Sequence, residues 1–567
     1  MHNKQLMKGM LIFVFLNLML QSLCYARENA LEPSPSDSLI NNTACKLNAI
    51  PENQIEEESV VVGDIFIEPL PIFDENDPDS IPLHRWANAF HIVTKPFVIR
   101  ERLTFDEGDT LSPQDLKEAE SILRSERFIA NANIRVAPVC NEDLTHDILV
   151  TTYDNWSLIP TFSFSRSGGN NKTIIGVRED NLLGLGIRTR LRYNSDEQRS
   201  GYQLSFSSAF PGVRHSNVYL DLVDNDDGER YQFVFDKPFF HLGTKRMYFA
   251  EYLDDKRVED IFQNDQTRNS IDIEHRRVAV ATGWNVGNSR QETQRISIGF
   301  TDERSVFRID ESSPSSNPLF LPDERNYQYP WIQFDYVQRN IAVLQDVYLI
   351  QQPEDINLGW QFSTKLGLEL SDVADGDEFG YHLDTHAQKA WQYGASLFVA
   401  KSQFSADINT TAKDRMLAHF AGEYFYRAND ILGYYSRLSA TFSSGQFKDL
   451  PIVIDDDNGV RGYANQYQHG DNRISASVEA RFYTDYNIYQ LFNLGFAVFA
   501  DVGRAFSGEL AQFNEDDGIL ASTGLGARLY SNKASTPGVI HIDLSTPLSD
   551  GESVDSWAIS LQMRNSF

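Results

Sequence analysis

The sequence predicts a mainly β protein: a transmembrane antiparallel β-barrel preceded by one small α+β domain. Three observations carry that expectation. The chain opens with an export signal, its residues from Asn155 onward alternate between apolar and polar, and it ends on an apolar strand closed by the aromatic Phe567. Strict alternation sends successive side chains to opposite faces of a strand. A chain without a long apolar run can cross a bilayer only as a closed barrel, because open sheet edges are intolerable in lipid.

Composition narrows the function classes. The chain has 567 residues, with 50 Lys plus Arg against 80 Asp plus Glu, so its formal charge is −30. That acid excess argues against a general nucleic-acid binder, which needs basic surface to meet phosphate. Beyond the N-terminus no stretch offers the ~18 consecutive apolar residues of a spanning helix.

The export signal is read from residues 1–26. Lys4 and Lys8 precede a short apolar core from Met10 to Met19, and Cys24-Tyr25-Ala26 resembles a small-residue cleavage site. Cleavage after Ala26 leaves two cysteines, Cys45 and Cys140. In an oxidising compartment they could form a disulfide; the alternative is a pair of free buried thiols. There is no CxxC, HExxH or GxSxG pattern, so no metal site, cofactor or catalytic constellation is expected, and the protein is not read as an enzyme.

The mature chain divides into three zones. Residues 27–58 form a flexible polar leader, rich in Ser, Asn, Glu and Pro. Residues 59–154 form the α+β domain. Val60 to Glu68 reads as a strand and Pro96 to Thr104 as helix-compatible. Ser112 and Pro113 open a helix with Asp115 at its third position and an apolar stripe of Leu116, Ala119, Ile122 and Leu123. Phe128 to Val139 and Asp147 to Tyr153 then read as strands, giving the order β-α-α-β-β. Residues 155–567 form the barrel. Ile187, Thr189, Leu191 and Tyr193 alternate with Arg188, Arg190 and Arg192. Arginines on one face cannot meet lipid cheaply, at ~2–4 kcal/mol each near the midplane, but they can face a wet lumen. The closing strand places Trp557, Ile559, Leu561, Met563 and Phe567 on one face.

Four segments carry a family resemblance. Pro96 to Asp109 followed by Leu116 to Phe128 resembles a POTRA domain, a periplasmic module of outer-membrane assembly proteins. Glu179 to Gly186 (EDNLLGLG), with Asn181, Gly184 and Gly186, resembles a periplasmic turn near the start of the barrels in that superfamily. Val460-Arg461-Gly462-Tyr463 is similar to its (Val/Ile)-Arg-Gly-(Phe/Tyr) motif in the sixth surface loop. Phe499 to Gly503 (FADVG) is similar to its Phe-x-Asp-x-Gly motif of the thirteenth strand. On these grounds the chain resembles the BamA/TamA superfamily, as a short member with a single POTRA domain. The resemblance implies a sixteen-stranded barrel. Residues 155–567 number 567 − 154 = 413, or about 26 per strand with its connection, which is ample for strands of ~9–11 residues.

The resemblance also implies that the Arg461 tip folds back into the barrel to meet an Asp on the wall. Parity points to the same acids. If Phe496, Val498, Ala500 and Val502 face lipid, Phe499, Asp501 and Gly503 face inward. If Ile474 to Phe482 alternate outward, Glu479 and Arg481 face inward. A guanidinium can hold carboxylates bidentately, and Gly462 would allow a tight backbone turn. The alternative is that Arg461 is solvated in a surface loop.

The function expected is assistance in inserting, assembling or translocating client proteins at the bacterial outer membrane, with the POTRA domain in the periplasm. The partners expected are unfolded β-rich clients, which could add to a POTRA sheet edge, and outer-membrane lipid or lipopolysaccharide, around a monomeric barrel. The alternatives are a two-partner-type secretion pore and a structural or passive channel. Pro160, in the expected first strand, removes a ladder donor where the first and last strands meet.

Overall fold

The computed structural model describes residues 59–564, apart from 76–79, 138–144, 168–169, 290, 316–320, 371–378, 490, 532, 536–537, 550 and 552–553. The expected signal peptide, the polar leader, Cys45, Cys140 and Phe567 lie outside the described residues.

The N-terminal domain runs β1 (Val60–Leu70), α1 (Pro82–Phe90), α2 (Pro96–Arg100), β2 (Thr110–Leu111), α3 (Pro113–Ser125), β3 (Ile129–Val136) and β4 (His146–Asp154). Its sheet has the order β2-β1-β4-β3, with β1 and β4 parallel. Helix α3 begins as its sequence demands. The Asp115 carboxylate accepts from the Ser112 amide at 2.8 Å and Pro113 stands at the first turn, a reciprocal cap that satisfies otherwise orphaned amides. Leu116, Ala119 and Leu123 pack on Ile99, Leu103, Phe105, Ile148 and Val150 to form the core. The order differs from β-α-α-β-β by the short strand β2 and by helix α1. That helix escapes a sequence reading because it has nine residues and Ile81 at its N-cap makes no side-chain cap. It buries only His84 and Ala87 and leaves Leu83, Trp86 and Phe90 exposed.

The rest of the described chain is strand and connection. The strands are β5 (Leu158–Ser167), β6 (Asn170–Leu182), β7 (Ile187–Ser195), β8 (Ser200–Ala209), β9 (Asn217–Asn225), β10 (Gly228–Lys237), β11 (Arg246–Gln263), β12 (Gln266–Asn288), β13 (Glu292–Ile309) and β14 (Arg325–Gln338). A hairpin of β15 (Ile341–Gln345) and β16 (Pro353–Asn357) interrupts the series. It resumes with β17 (Gln361–Glu369), β18 (Gly380–Tyr393), β19 (Ser396–Ile408), β20 (Arg415–Arg427) and β21 (Leu432–Ser444). A long connection holds β22 (Ile452–Ile454) and β23 (Gln468–Gly470). The last strands are β24 (Asn472–Ile488), β25 (Phe492–Phe506), β26 (Leu520–Ser531), β27 (Val539–Pro547) and β28 (Ala558–Arg564).

All except β15, β16, β22 and β23 join one closed antiparallel barrel in which β28 returns to β5. The barrel has 20 strands, which corrects the expectation of sixteen. The sixteen comes from the family resemblance, and the length that permits sixteen also permits twenty. Several turns are only two residues long, as at Asp226–Asp227, Asn264–Asp265 and Gly394–Ala395, and the residues saved there build four further strands. Alternation in the sequence puts the last five strands at roughly 472–484, 494–505, 520–530, 538–547 and 557–567, and β24 to β28 fall there as far as Arg564, the last described residue. The Arg461 loop is therefore the eighth connection on its side, and the Asp501 strand the seventeenth of the barrel, not the sixth and thirteenth.

The two barrel faces separate as alternation requires. Leu191, Val280, Ile298, Phe300, Ile332, Leu366, Val478, Val498 and Leu525 are exposed outward. Such a belt is too large for a water-facing monomer surface and suits acyl chains. Arg188, on the opposite face of β7 from Leu191, reaches Asp180 at 3.0 Å. No described helix is long and apolar enough to cross a membrane.

The N-terminal domain docks on the turns at one mouth, here called proximal; the other mouth is distal. Arg214, in the turn 210–216, reaches Asp106 at 2.6 Å, and Arg339 reaches Glu118 at 3.2 Å.

Candidate functional site in the barrel lumen

The distal connection between β21 and β24 turns back into the barrel and seats Arg461 on the wall. Arg461 Nε donates to Asp501 Oδ2 at 2.6 Å and Nη2 to Asp501 Oδ1 at 2.8 Å, a bidentate pair. Its Nη1 lies 3.1 Å from Glu479. Ser477 Oγ donates to Asp501 Oδ1 at 2.6 Å. The guanidinium carbon stands 3.4 Å from the centroid of the Phe499 ring, a cation–π contact in a desolvated site. Asp501 is 2% and Arg461 8% exposed, so both charges are satisfied by each other and by neighbours rather than by water.

Each residue of the two motifs has a definable part. Val460 and Tyr463 are buried with Ile454, Ala464, Tyr467, Ala505 and Leu520, and Tyr463 Oη donates to the Ala521 carbonyl at 2.8 Å. Gly462 has φ +95°, and a Cβ there would approach Ser545 Oγ to 3.0 Å, so only glycine fits without strain. Gly503 leaves room for Ile454, since an added Cβ would sit 2.8 Å from its Cδ1. Phe499 lies over Gly524, where an added Cβ would clash with the ring.

Two consecutive acids hold the loop in shape. Asp455 Oδ1 accepts from the Asp457 amide at 3.1 Å and Asn458 Nδ2 at 2.8 Å, and its Oδ2 accepts from the Gln466 amide at 2.9 Å. Asp456 Oδ1 accepts from the Gly462 amide at 2.7 Å. Burial pushes the Asp456 carboxyl up to about 6, with Asp457 adding to it and the Gly462 bond opposing. His469, whose Nε2 donates to the Phe262 carbonyl at 2.6 Å, is pushed down to about 4 by burial.

The sign for Asp456 follows from linkage. Its folded value exceeds the ordinary 3.8, so its contribution is fully present below that value and is lost as pH rises through about 6. Asp456→Asn keeps an acceptor for Gly462 and removes the buried charge. The variant is expected to hold the loop more tightly at pH 8, by on the order of 1–3 kcal/mol, with the gain shrinking below pH 6. Limited proteolysis of the loop at pH 8 and pH 4.5 reads this difference. His469 works oppositely in the parent and its variant alike, stabilising above its ordinary value of 6.5 and losing that contribution as pH falls toward 4.

The remaining expected residues lie elsewhere. Asn181, Gly184 and Gly186 form the proximal turn after β6 and act as a socket for the N-terminal domain. Asn181 Nδ2 donates to Thr94 Oγ1 at 2.8 Å, the Lys95 amide donates to Gly184 O at 2.9 Å, and Gly186 backs onto Val98 and Phe128. Both glycines have positive φ. Trp557, Ile559 and Met563 point outward on or beside β28, and Leu561 is half-buried. The seam of β28 with β5 carries ladder pairs only at Ile559–Arg166, Ser560–Ser165 and Leu561–Phe164 among the described residues. The shortest other barrel ladders, β14 with β17 and β27 with β28, run over seven pairs. The seam pairs lie toward the distal mouth. Pro160 falls in the proximal stretch of β5, where no described ladder pair crosses the seam.

Several lumen residues were not singled out by their sequence. Arg528 is fully buried and meets Asp543 at 2.6 Å. Parity would have found both, because Leu525 and Leu544 face outward. Arg481 is placed inward by its parity, but its partners are not foreseeable. It binds Glu479 at 3.0 Å, lies 4.0 Å from the Tyr435 ring centroid, and donates to the Val347 carbonyl of the β15–β16 hairpin at 3.2 Å. Among the described residues no group of three or more His, Cys, Asp or Glu side chains could hold a metal ion.

No family model matches the chain, and no curated protein matches it. Solved structures do. BamA from Haemophilus ducreyi lacking POTRA domains 1–3 is similar at 11% identity and TM-score 0.41, covering 89% of this chain and 84% of that one. CdiB from Acinetobacter baumannii is similar at 13% identity and TM-score 0.43, covering 98% of both chains. The FrpB iron transporter from Neisseria meningitidis is similar at 9% identity and TM-score 0.39, covering 76% of this chain and 87% of that one.

Proposed function

We propose that this chain is a bacterial outer-membrane β-barrel of the BamA/TamA type that assists the insertion or assembly of client proteins, with its POTRA-like domain in the periplasm. The observation that carries the reading is the seam between β28 and β5, which holds three ladder pairs among the described residues. A barrel strand that lacks ladder partners offers unpaired amides and carbonyls, and an incoming strand can satisfy them. The outward apolar belt supports a lipid partner, outer-membrane phospholipid or lipopolysaccharide, around a monomeric barrel. The edge strands β2 and β3 of the N-terminal sheet are candidate docking edges for β-rich clients. The reading assigns the protein no catalytic step and no cofactor.

The test is to close the seam. Ser165 and Ser560 are directly opposed across it, so the variant Ser165→Cys with Ser560→Cys can bridge the strands. Cells depleted of the parent and supplied with the bridged variant are expected to lose outer-membrane proteins, and a reductant is expected to restore them. Unchanged outer-membrane protein levels on depletion, or full support by the bridged form, would overturn the assembly reading.

A further inference from the structure

Twenty strands enclose a lumen too wide for wall side chains alone to fill, so whatever occupies it decides whether it conducts. The occupants are unevenly placed. Along β7 to β13 the inward side chains form a polar wall, with Arg230 on Asp221 at 2.7 Å and Arg277 near Glu251 at 3.5 Å, and both arginines are about a third exposed. Along β18 to β27 the lumen is filled. The Arg461 loop enters from the distal side, and residues 341–357 enter from the proximal side.

The hairpin of β15 and β16 buries its tip against the wall. Val347 packs on Ala390, Leu397, Val399 and Phe425, and Ile350 packs on Tyr483, Ala497, Tyr530 and Val539. We propose that residues 341–357 are a displaceable stopper, and that the lumen becomes a passage for hydrophilic solutes when the hairpin leaves it. This rests on reading the barrel as membrane-embedded.

Three features make the hairpin removable without unfolding. Its stem is closed, because the Leu358 amide donates to Asn340 O at 2.7 Å and Asn357 Oδ1 accepts from the Asn340 amide at 2.9 Å. Its tip keeps its own shape. The Glu354 carboxylate accepts from the amides of Val347 at 2.9 Å, Tyr348 at 3.0 Å and Leu349 at 3.1 Å, while Asp346 Oδ1 accepts from the Gln351 amide at 2.6 Å. Its polar grip on the wall is a handful of point contacts, from Tyr483 Oη to Asp346 O at 3.0 Å, Arg481 to Val347 O, Asn493 Nδ2 to Ile350 O at 3.0 Å and Gln351 Nε2 to Thr484 O at 2.6 Å, with Arg427 paired to the Asp346 carboxylate at 3.0 Å and Tyr348 Oη donating to Glu423 at 3.3 Å. Water can replace those partners once the tip withdraws. Neither β15 nor β16 joins the barrel ladder, and Ile341 and Val343 are exposed on the hairpin's open face. Arg481 grips the hairpin and shares Glu479 with Arg461, so both lumen occupants bear on one patch of β24.

The experiment removes the stopper. Asn340 and Leu358 already meet, so a Gly-Gly link can replace residues 341–357. The parent and the deletion variant, each with and without Arg461→Ala, are compared in planar bilayers for potassium chloride conductance. Heat-modifiable gel migration confirms that each barrel is folded. The deletion is expected to raise conductance by about threefold or more in at least one background. A folded, inserted deletion variant that conducts like its parent in both backgrounds overturns the stopper. If the deletion fails to insert, Val347→Asp with Ile350→Asp, which expels the tip by burying charge, is expected to give the same rise, and no rise overturns the proposal. A parent that never inserts overturns the membrane reading and the stopper with it.

Discussion

Arg461→Ala is expected to free the distal loop from the lumen while leaving the barrel closed and inserted. The change strips the guanidinium that grips both Asp501 and Glu479. Asp501 keeps Ser477, and Glu479 keeps Arg481, but each is a carboxylate less than a tenth exposed. Leaving buried charge uncompensated costs about 3–5 kcal/mol. The barrel can avoid most of that cost by letting the loop leave and water enter, whereas the ladder of β24 with β25 depends on backbone bonds the substitution does not touch. The released loop should show faster protease cleavage between residues 445 and 471, with unchanged heat-modifiable migration. Arg461→Lys should behave nearly as badly. An ammonium cannot reproduce the two parallel bonds to Asp501, the third contact to Glu479 and the stacking on Phe499. Asp501→Asn should fall between, since it keeps an acceptor and loses the charge. A loop equally protected in Arg461→Ala and parent would mean that the apolar cluster around Tyr463 holds it unaided.

The legibility of this chain divides by the range of the physics involved. Alternation is a local property, and it correctly separates Val498 and Val502, exposed, from Phe499 and Asp501, buried. It therefore identified both wall acids that Arg461 meets. The helix α3 cap is equally local and equally readable. Strand number is not local, because it depends on how many residues each turn consumes, and two-residue turns look like any other polar dipeptide in an acidic chain. The β15–β16 hairpin is harder still. Ile341 to Leu344 is a short continuous apolar run with no period of its own, and nothing in it says the strand stands inside the barrel rather than in the wall. Phe499 over Gly524 is of the same kind, a fit between neighbouring strands that neither shows alone.

Asp154→Ala is expected to uncouple the N-terminal domain from the barrel. The Asp154 carboxylate is fully buried at the end of β4, where it accepts from His91 Nε2 at 2.7 Å, the Thr94 amide at 2.8 Å and Thr94 Oγ1 at 2.8 Å. Thr94 Oγ1 in turn accepts from Asn181 Nδ2 in the barrel turn. One carboxylate thus fixes the strap 91–95 on which that turn sits. Its loss strands two Thr94 donors and the His91 ring in a site closed to water, at about 1–3 kcal/mol for each unsatisfied group. The strap also carries Lys95, whose amide holds Gly184 O, so the backbone bond to the turn should loosen with it. Arg339 to Glu118 and Arg214 to Asp106 would remain as exposed ion pairs of about 1 kcal/mol or less each, together with Arg214 on the Arg100 and Leu103 carbonyls and the Phe73 cluster on Leu491. The domain should therefore swing on its tether to β5 rather than detach. Spin labels on α3 and on the turn 210–216 should report a broadened distance distribution, while the barrel keeps its heat-modifiable migration. Asp154→Asn retains one acceptor for Thr94 and should broaden the distribution less; equal broadening in the two variants would place the effect in the lost charge rather than in the stranded donors.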